Sequence, residues 1–595
     1  MKAQRILAWT AATALTTGVA HAQVSHQALV SLAQDITYTT AAVFPMTATY
    51  LGIPGHDGEL QAPSETFRAA QVQRLRDWQS RLEAIATGFD AQTPHVDRDD
   101  ATLLRADLTR SLNELLVYQA DRKDYADGAN SIVSVVFVQF EHLPVVGQEG
   151  ATAADLKRGW ADIARRLAGA PAYIAASQRL ATTPGHLYGV VGARQLAGAP
   201  DFLKGALTEA ARDQLGARSR EYTAFLRARD VALAAIAGTR QYIEAHVASW
   251  PENYAIGRSA YDRMLKEEQL LPYDSGDVER IAQDELAHGW AEEAWLRQVA
   301  QHRGVALGAA SGGGLAPGGA ALIDYYRDCI AQLRSFVSEE NIVTIPAWLG
   351  SMQIVETPAF LQPVSPGASM NPPRLFSLST TGYYYITPPK SLAEAAARLD
   401  MNEDFDRDRI LSTAAHEALP GHFMQLSIAK RHPDFVRRIQ FSGTFAEGWA
   451  FYGEEMFVRL GLYGDDLDGR LDVARWERVR GARAVVDPRL AGGEWTYERA
   501  VEFFAAETGF THEQAEAAVA GIATRAGYVI AYSVGRLQIE NLLAEYLRRK
   551  GGEASLHDFH DRLLSYGTTP LAIVGPELLA DLDKPSSEVR AAANY

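Results

Sequence analysis

The sequence predicts a mainly α-helical fold with a small β-sheet beside a candidate active-site cleft. First, apolar residues recur at helical spacing along most of the 595 residues, a length that allows a large core. Second, this pattern is interrupted near residue 341 by short Val-, Ile-, Thr- and Tyr-rich runs bounded by Pro and Gly, the signature of strands. Third, helical spacing returns at once, and a His-Glu motif follows within it.

The helical segments include SETFRAAQVQRLRDWQSRLEAI from Ser64, ADLKRGWADIARRLAGAPAYI from Ala154 and SGDVERIAQDELAHGWAEEAWLRQVA from Ser275. GAASGGGLAPGG, Gly308 to Gly319, reads as a flexible loop between helices. The expected strands lie in NIVTIPAW, SMQIVETPAF and RLFSLSTTGYYYITPP, and helices resume at SLAEAAARL from Ser391. No fixed-period repeat is present. The expected organisation is a leader at 1–22, an N-terminal helical region at 23–340 and a catalytic region at 341–595.

The leader reads MKAQRILAWTAATALTTGVAHAQ. Lys2 and Arg5 form a basic start, Ile6 to Ala20 a short apolar stretch, and Ala20-His21-Ala22 a small-residue cleavage site. The mature chain is expected to begin at Gln23, in the periplasm or outside the cell. The residue directly after that cleavage point is Gln23 and not a cysteine, which argues against a lipid anchor. No later segment has the length and apolarity of a membrane span. The formal net charge of −16 argues against nucleic acid, whose phosphates need a basic face, and loss of Lys2 and Arg5 makes it more negative. Cys329 is the only cysteine, so no internal disulfide can form; it sits in a helical pattern as a buried residue.

The chemistry concentrates in HEALPGH, His416 to His422. In H-E-x-x-H the two histidines share a helical face and a zinc ion. Here the spacing is i, i+6, which on a straight helix separates them by roughly 120° and about 9 Å of rise. Pro420 removes a hydrogen bond and clashes with the carbonyl four residues back, and Gly421 permits unusual backbone angles. The helix must therefore bulge or break, and a two-residue bulge returns His422 to the face of His416. On that reading His416 and His422 are metal ligands and Glu417 is the general base. The alternative is a helix ending at Leu419 with two unrelated histidines about a turn.

A third ligand is needed. Glu447, in SGTFAEGWAFYGEEM, is one candidate, with Glu454 and Glu455 behind it. Thr444 to Glu447 also spells a capping box, T-x-x-E, in which the carboxylate serves the helix start. Small Gly448 and Ala450 suggest close packing against another helix. Near the C-terminus Tyr528 and Tyr532 lie four apart, either as donors to a developing oxyanion or as core aromatics with polar tips. Glu285-Leu-Ala-His288 resembles half of a di-iron motif, but no second copy is found, and a solvated face is expected.

HEALPGH followed after about 25 residues by EGWA resembles the bacterial domain-of-unknown-function 885 family. LGIPGHDGEL from Leu51, GYYYITPP from Gly382 and AGYVIAYSVGRL fit it as well, so the resemblance covers nearly all of the mature chain. The family is regarded as zinc-metallopeptidase-like. It is similar in arrangement to the helical oligopeptidases and carboxypeptidases around angiotensin-converting enzyme and thimet oligopeptidase, and dipeptidyl peptidase three offers a parallel lengthened zinc motif.

The resemblance implies a zincin-like fold, with His416, His422 and Glu447 as ligands of one zinc, Glu417 as base and Tyr532 as oxyanion donor. Tyr528, Arg536 and Tyr384 are the candidate substrate contacts, and Arg536 or Arg525 would meet a terminal carboxylate. The chain departs from the family where a histidine gives way to Ala491, at AVAGI around Gly521, and at Ala526-Gly-Tyr528. The expected function is hydrolysis of short peptides, of carboxypeptidase or dipeptidyl-carboxypeptidase type. A zinc amidase or esterase and a non-catalytic peptide-binding protein are the alternatives.

Overall fold

The computed structural model of the chain describes residues 25–148, 150–307, 320–358, 360–361, 368–387, 407–592 and 594–595. The expected leader, the Gly308–Gly319 loop and the helix from Ser391 lie outside these residues. The described chain is predominantly helical with one three-stranded sheet. The helices that frame the argument are α1 (Glu65–Thr87), α2 (Ala153–Leu180), α3 (Ser275–Arg303), α4 (Ala320–Glu339), α5 (Arg407–Glu417), α6 (His422–Lys430), α7 (Gly443–Leu460), α8 (Leu467–Ala491) and α9 (Ala531–Lys550).

The three helices expected from periodicity all form, and their starts are set by side chains. Ser64 accepts the Phe67 N–H ahead of α1. Thr152 with Asp155, and Asp274 with Asp277, make reciprocal capping boxes ahead of α2 and α3. Gly304 ends α3 in the left-handed region at φ 69°, which costs glycine least.

The sheet has the order β1-β3-β2, with β1 at Met352–Glu356, β2 at Ala368–Asn371 and β3 at Gly382–Ile386. β1 runs parallel to β3 and β2 antiparallel to it. Alternate residues of a strand face opposite ways, and here both faces are covered. Ile354, Tyr384 and Ile386 join a core built from α4 to α7 and the chain's last helices. Val355, Tyr383 and Tyr385 face a second core that includes Ile163, Leu167 and Ile174 of α2. The sheet is thus a wall between two helical cores.

One expected strand is absent, and RLFSLSTTGYYYITPP forms a strand only from Gly382 onward. In NIVTIPAW, the Thr344 N–H and hydroxyl bind Asp561 at 2.9 and 2.8 Å, and Ile342 and Val343 are buried as irregular chain. The segment's polar groups are satisfied by the C-terminal helices, so it needs no strand partner. Arg374–Thr381 is likewise irregular, held by Phe376 N–H to Leu51 carbonyl (2.8 Å) and Lys430 to the Ser379 carbonyl (2.6 Å). β2, whose sequence is ASMN, was not expected.

Glycines set the two helix contacts that build the site. Gly289 of α3 lies against Ala474 and Arg478 of α8, and Gly481 of α8 lies against the Leu286 backbone. A side chain on either would collide with main chain. The same holds where Gly448 of α7 meets Gly535 of α9. The close approach suggested by small Gly448 and Ala450 is therefore present, and it brings Tyr532 and Arg536 beside α7.

Candidate metal centre

The helix carrying His416 breaks rather than bulges. α5 ends at Glu417 and α6 begins at His422, with a cis Leu419–Pro420 peptide between them. The chain folds back so tightly that a Cβ on Gly421 would collide with the His416 carbonyl oxygen. Trp449 clamps the turn by donating its indole N–H to the Pro420 carbonyl at 2.8 Å. The two imidazoles end with centroids 4.7 Å apart at 87°.

α7 supplies the third group. Its cap is Ser442, which accepts the Phe445 N–H, so the expected Thr444–Glu447 capping box does not form. Glu447 is left free to turn inward, and its Oε2 lies 3.3 Å from Nε2 of both His416 and His422. The three ligand atoms fall within 4.8 Å of one another. An edge of roughly 3.3 Å is what a tetrahedron with bonds of about 2.0–2.1 Å requires. Glu447 Oε2 is buried and takes no aligned hydrogen bond among the described residues, so the donor set fits a divalent cation.

A second layer orients the first. Glu454 lies seven residues after Glu447, on the same face of α7, and its Oε1 is 2.7 Å from His416 Nδ1. Arg480 of α8 grips both oxygens of Glu454 at 2.7 and 2.8 Å. With Nδ1 engaged, His416 presents Nε2 inward. Burial works against charge on His416, but Glu447 and Glu454 outweigh it and hold the imidazole up at about 10. Burial also opposes charge on Glu447, yet His422 and His416 hold it well below the usual carboxylate range. Glu454, against Arg480 and His416, stays ionised at about 2 despite burial. These groups balance anion against cation, and a divalent ion would supply the positive charge without protonating the imidazoles.

Glu417 is half-buried beside the triad. Burial pushes its carboxyl up, while His416 and His422 pull it down; the net direction is up. Tyr528 donates to Glu447 Oε1 at 2.9 Å, so its hydroxyl positions the ligand carboxylate. Tyr532 stacks on His416 at 6.1 Å and 21°. Burial and the Glu447 charge push its hydroxyl well above the usual range, which keeps it a donor.

Other expected residues fall elsewhere. Tyr384 is fully buried with its ring against Tyr326 at 5.5 Å. The strand's alternation points it into a core, so it is a packing residue and no substrate contact. Arg536 is neutralised inside the protein by Glu285 and by Glu455 at 2.7 Å, which takes it away from a substrate carboxylate. Glu285 is 4% exposed, whereas the His288 side chain is 41% exposed and lies 3.2 Å from Glu477, so only the His288 end of Glu285-x-x-His288 meets solvent as expected. Glu455 joins that same network rather than the triad. Arg525 lies over the Tyr528 ring at 5.1 Å, and both line a cavity of about 480 Å³ next to the triad.

Sequence reasoning missed Arg480 and Asp487. Asp487 accepts the Gly527 N–H with both oxygens (2.9 and 3.0 Å), fixing the turn that places Tyr528. Both residues sit at i, i+7 on α8, a spacing that marks one face but names no partner.

Fold and site together define a large helical protein with a buried centre of two histidines and one glutamate. The model of the family described as "Bacterial protein of unknown function (DUF885)" matches residues 45–578, and the chain belongs to that family. No curated protein matches it. Its fold is similar to that of a "putative lipoprotein of unknown function" from Shewanella oneidensis, with TM-score 0.69, 20% identity, and 93% of this chain and 99% of that chain covered. It is similar also to a "putative lipoprotein" from Colwellia psychrerythraea, with TM-score 0.74, 18% identity, and 94% and 99% covered. No helix among the described residues is long and apolar enough to cross a membrane.

Proposed function

We propose that this protein is a zincin-like, zinc-dependent hydrolase of short peptides that works outside the cytoplasm. The observation that carries the reading is the convergence of His416, His422 and Glu447 on one point, with Glu417 and Tyr532 beside it. The leader at 1–22 and the lipoprotein descriptions of the two similar structures support the location.

His416, His422 and Glu447 would hold the ion, leaving a fourth position open. Zinc, when bound, supplies a Lewis acid that polarises a carbonyl and acidifies water. Glu417 takes a proton from the attacking water and returns it to the leaving amine. Tyr532 donates its hydroxyl to the oxygen that gains charge. Tyr528 holds Glu447 and Arg480 holds Glu454, so the ligands need not reorganise.

The test is cleavage of a panel of short peptides, esters and non-peptide amides by zinc-loaded protein, with Glu417→Gln alongside. Peptide hydrolysis that falls at least about 100-fold in the variant is expected from loss of an acid–base group. Cleavage of esters or non-peptide amides alone would move the reading to an amidase or esterase. Equal behaviour of wild type and variant would sink the proposed catalytic role of Glu417.

A further inference from the structure

The buried arginines around the centre are ion-paired, with one exception. Arg478 meets Glu293 at 3.1 Å, Arg480 meets Glu454, and Arg536 meets Glu285 and Glu455. Arg483, one turn beyond Arg480 on α8, has no carboxylate partner among the described residues. It is half-buried, and its guanidinium lies 5.8 Å from the Trp476 ring. The titratable groups whose charge acts on it are Tyr532, Arg480, Arg525 and Tyr528, with no carboxylate among them. Arg525 is exposed, rests on Tyr528, and also has no carboxylate partner among the described residues.

This is an unfavourable place for a cation. Burial, then repulsion from Arg480 and Arg525, pull the Arg483 guanidinium below its usual range, and the tyrosines only partly compensate. Arg480 is itself a cation, and its two terminal nitrogens are already held by Glu454. A fold that confines a cation without a counter-charge leaves an anion to be supplied from outside. The position is specific as well, since both tyrosines border the triad, Tyr528 through Glu447 and Tyr532 on the His416 ring, and Tyr528 with Arg525 also lines the cavity. A planar guanidinium with parallel donors suits a carboxylate.

We propose that Arg483, with Arg525, is the anion subsite of the candidate active site and receives the free C-terminal carboxylate of a short peptide. The assignment rests on the hydrolase reading above for what the site does, and on the ion pairing for where the substrate's charge goes. It replaces Arg536, whose donors are spent on Glu285 and Glu455. It also gives the substrate a polarity, with its carboxyl end on the α8 side of Tyr532.

The test is binding to zinc-loaded Glu417→Gln protein, read by fluorescence anisotropy. The probes are an N-terminally labelled tetra-alanine as the free acid, the same peptide as its amide, and an amide with glutamate at the third position. The free acid is expected to bind at least about 30-fold tighter than the plain amide, the scale of losing one partner of a buried charge pair. Adding Arg483→Gln removes the preference, and Arg483→Lys restores part of it. Tighter binding of the glutamate-containing amide than of the free acid would overturn the C-terminal assignment and move the carboxylate to a side chain. Equal binding of acid and amide, no binding of the acid, or a preference that survives Arg483→Gln would overturn the subsite itself. Arg483→Gln alone should melt no lower than wild type, since it removes an unpaired cation; a large drop would reveal a structural role and also overturn the proposal. Failure of wild type to hydrolyse any peptide would count against the hydrolase reading and leave the acid-versus-amide comparison standing.

Discussion

Glu454 and Glu455 are neighbours on α7, yet they serve two polar clusters of opposite character. On one side, Glu454 backs His416, and two imidazoles meet Glu447. On the other, Glu455 shares a hydrogen bond with Glu477, which contacts His288, and Glu285 lies close by. Both sets bring histidine and carboxylate atoms within 4.8 Å. The difference is the cation. In the second cluster Arg536 reaches into the middle and pairs with Glu285 and Glu455. In the first, Arg480 is drawn back onto Glu454, and Glu447 Oε2 takes no aligned hydrogen bond among the described residues. Composition alone does not make a metal site. A cluster is open to an ion when the protein does not supply its own positive charge at the convergence point.

The comparison can be broken most forcefully at the two arginines. Arg480→Met leaves Glu454 buried without its guanidinium, held by His416 but no longer by a permanent cation, and is expected to cost about 3–5 kcal/mol in urea unfolding, with loss of metal retention. Arg536→Met should cost less, about 2–4 kcal/mol, because a cluster in which Glu477 already holds a proton can take up another. It should leave metal content unchanged. If both variants lose metal equally, the two clusters are not separate.

Glu454→Gln sharpens the claim that the second layer tunes the first. Metal affinity, measured by chelator competition, should fall about 10–100-fold, as for other partners behind a ligating histidine. An unchanged affinity would reduce Glu454 to a structural partner of Arg480.

The smallest expected effect is a pH dependence in the second cluster. Burial, then the neighbouring Glu455, push the Glu477 carboxyl up to about 11 from 4.5. Below the usual carboxylate range both folded and unfolded chains carry the proton. As pH rises past it, the unfolded chain loses the proton and the folded one keeps it, so this group's contribution to stability falls. Urea midpoints of Glu477→Gln should therefore gain on wild type between about pH 5 and pH 8. A gap that stays constant would mean that Glu477 is ionised in the fold.

The parts of the site legible in the sequence were those carried by local spacing. HEALPGH forces a break because Pro420 cannot continue the helix, and the break serves His422 as the spacing argument requires. Glu447 stood between cap and ligand until Ser442 proved to hold the cap. Glu454 was legible as a carboxylate on the same face, but its role depends on Arg480, which arrives from another helix. Tyr384 was not readable as buried: alternation sets it opposite Tyr383 and Tyr385, but only the packing shows that both faces of the strand are covered. β2 carries no β-branched residue and gave no signal. Arg536 and Arg483 lie on different helices, and only the three-dimensional pairing shows which has its charge spent.

The central claim is that the Pro-Gly break brings His422 to the ion that His416 and Glu447 hold. Metal content of purified protein after zinc loading and gel filtration, wild type against His422→Ala, tests it most directly. About one zinc per chain in wild type, lost in the variant, is the expected result for a centre with three protein ligands. Equal zinc in both proteins, or none in either after loading, would contradict it.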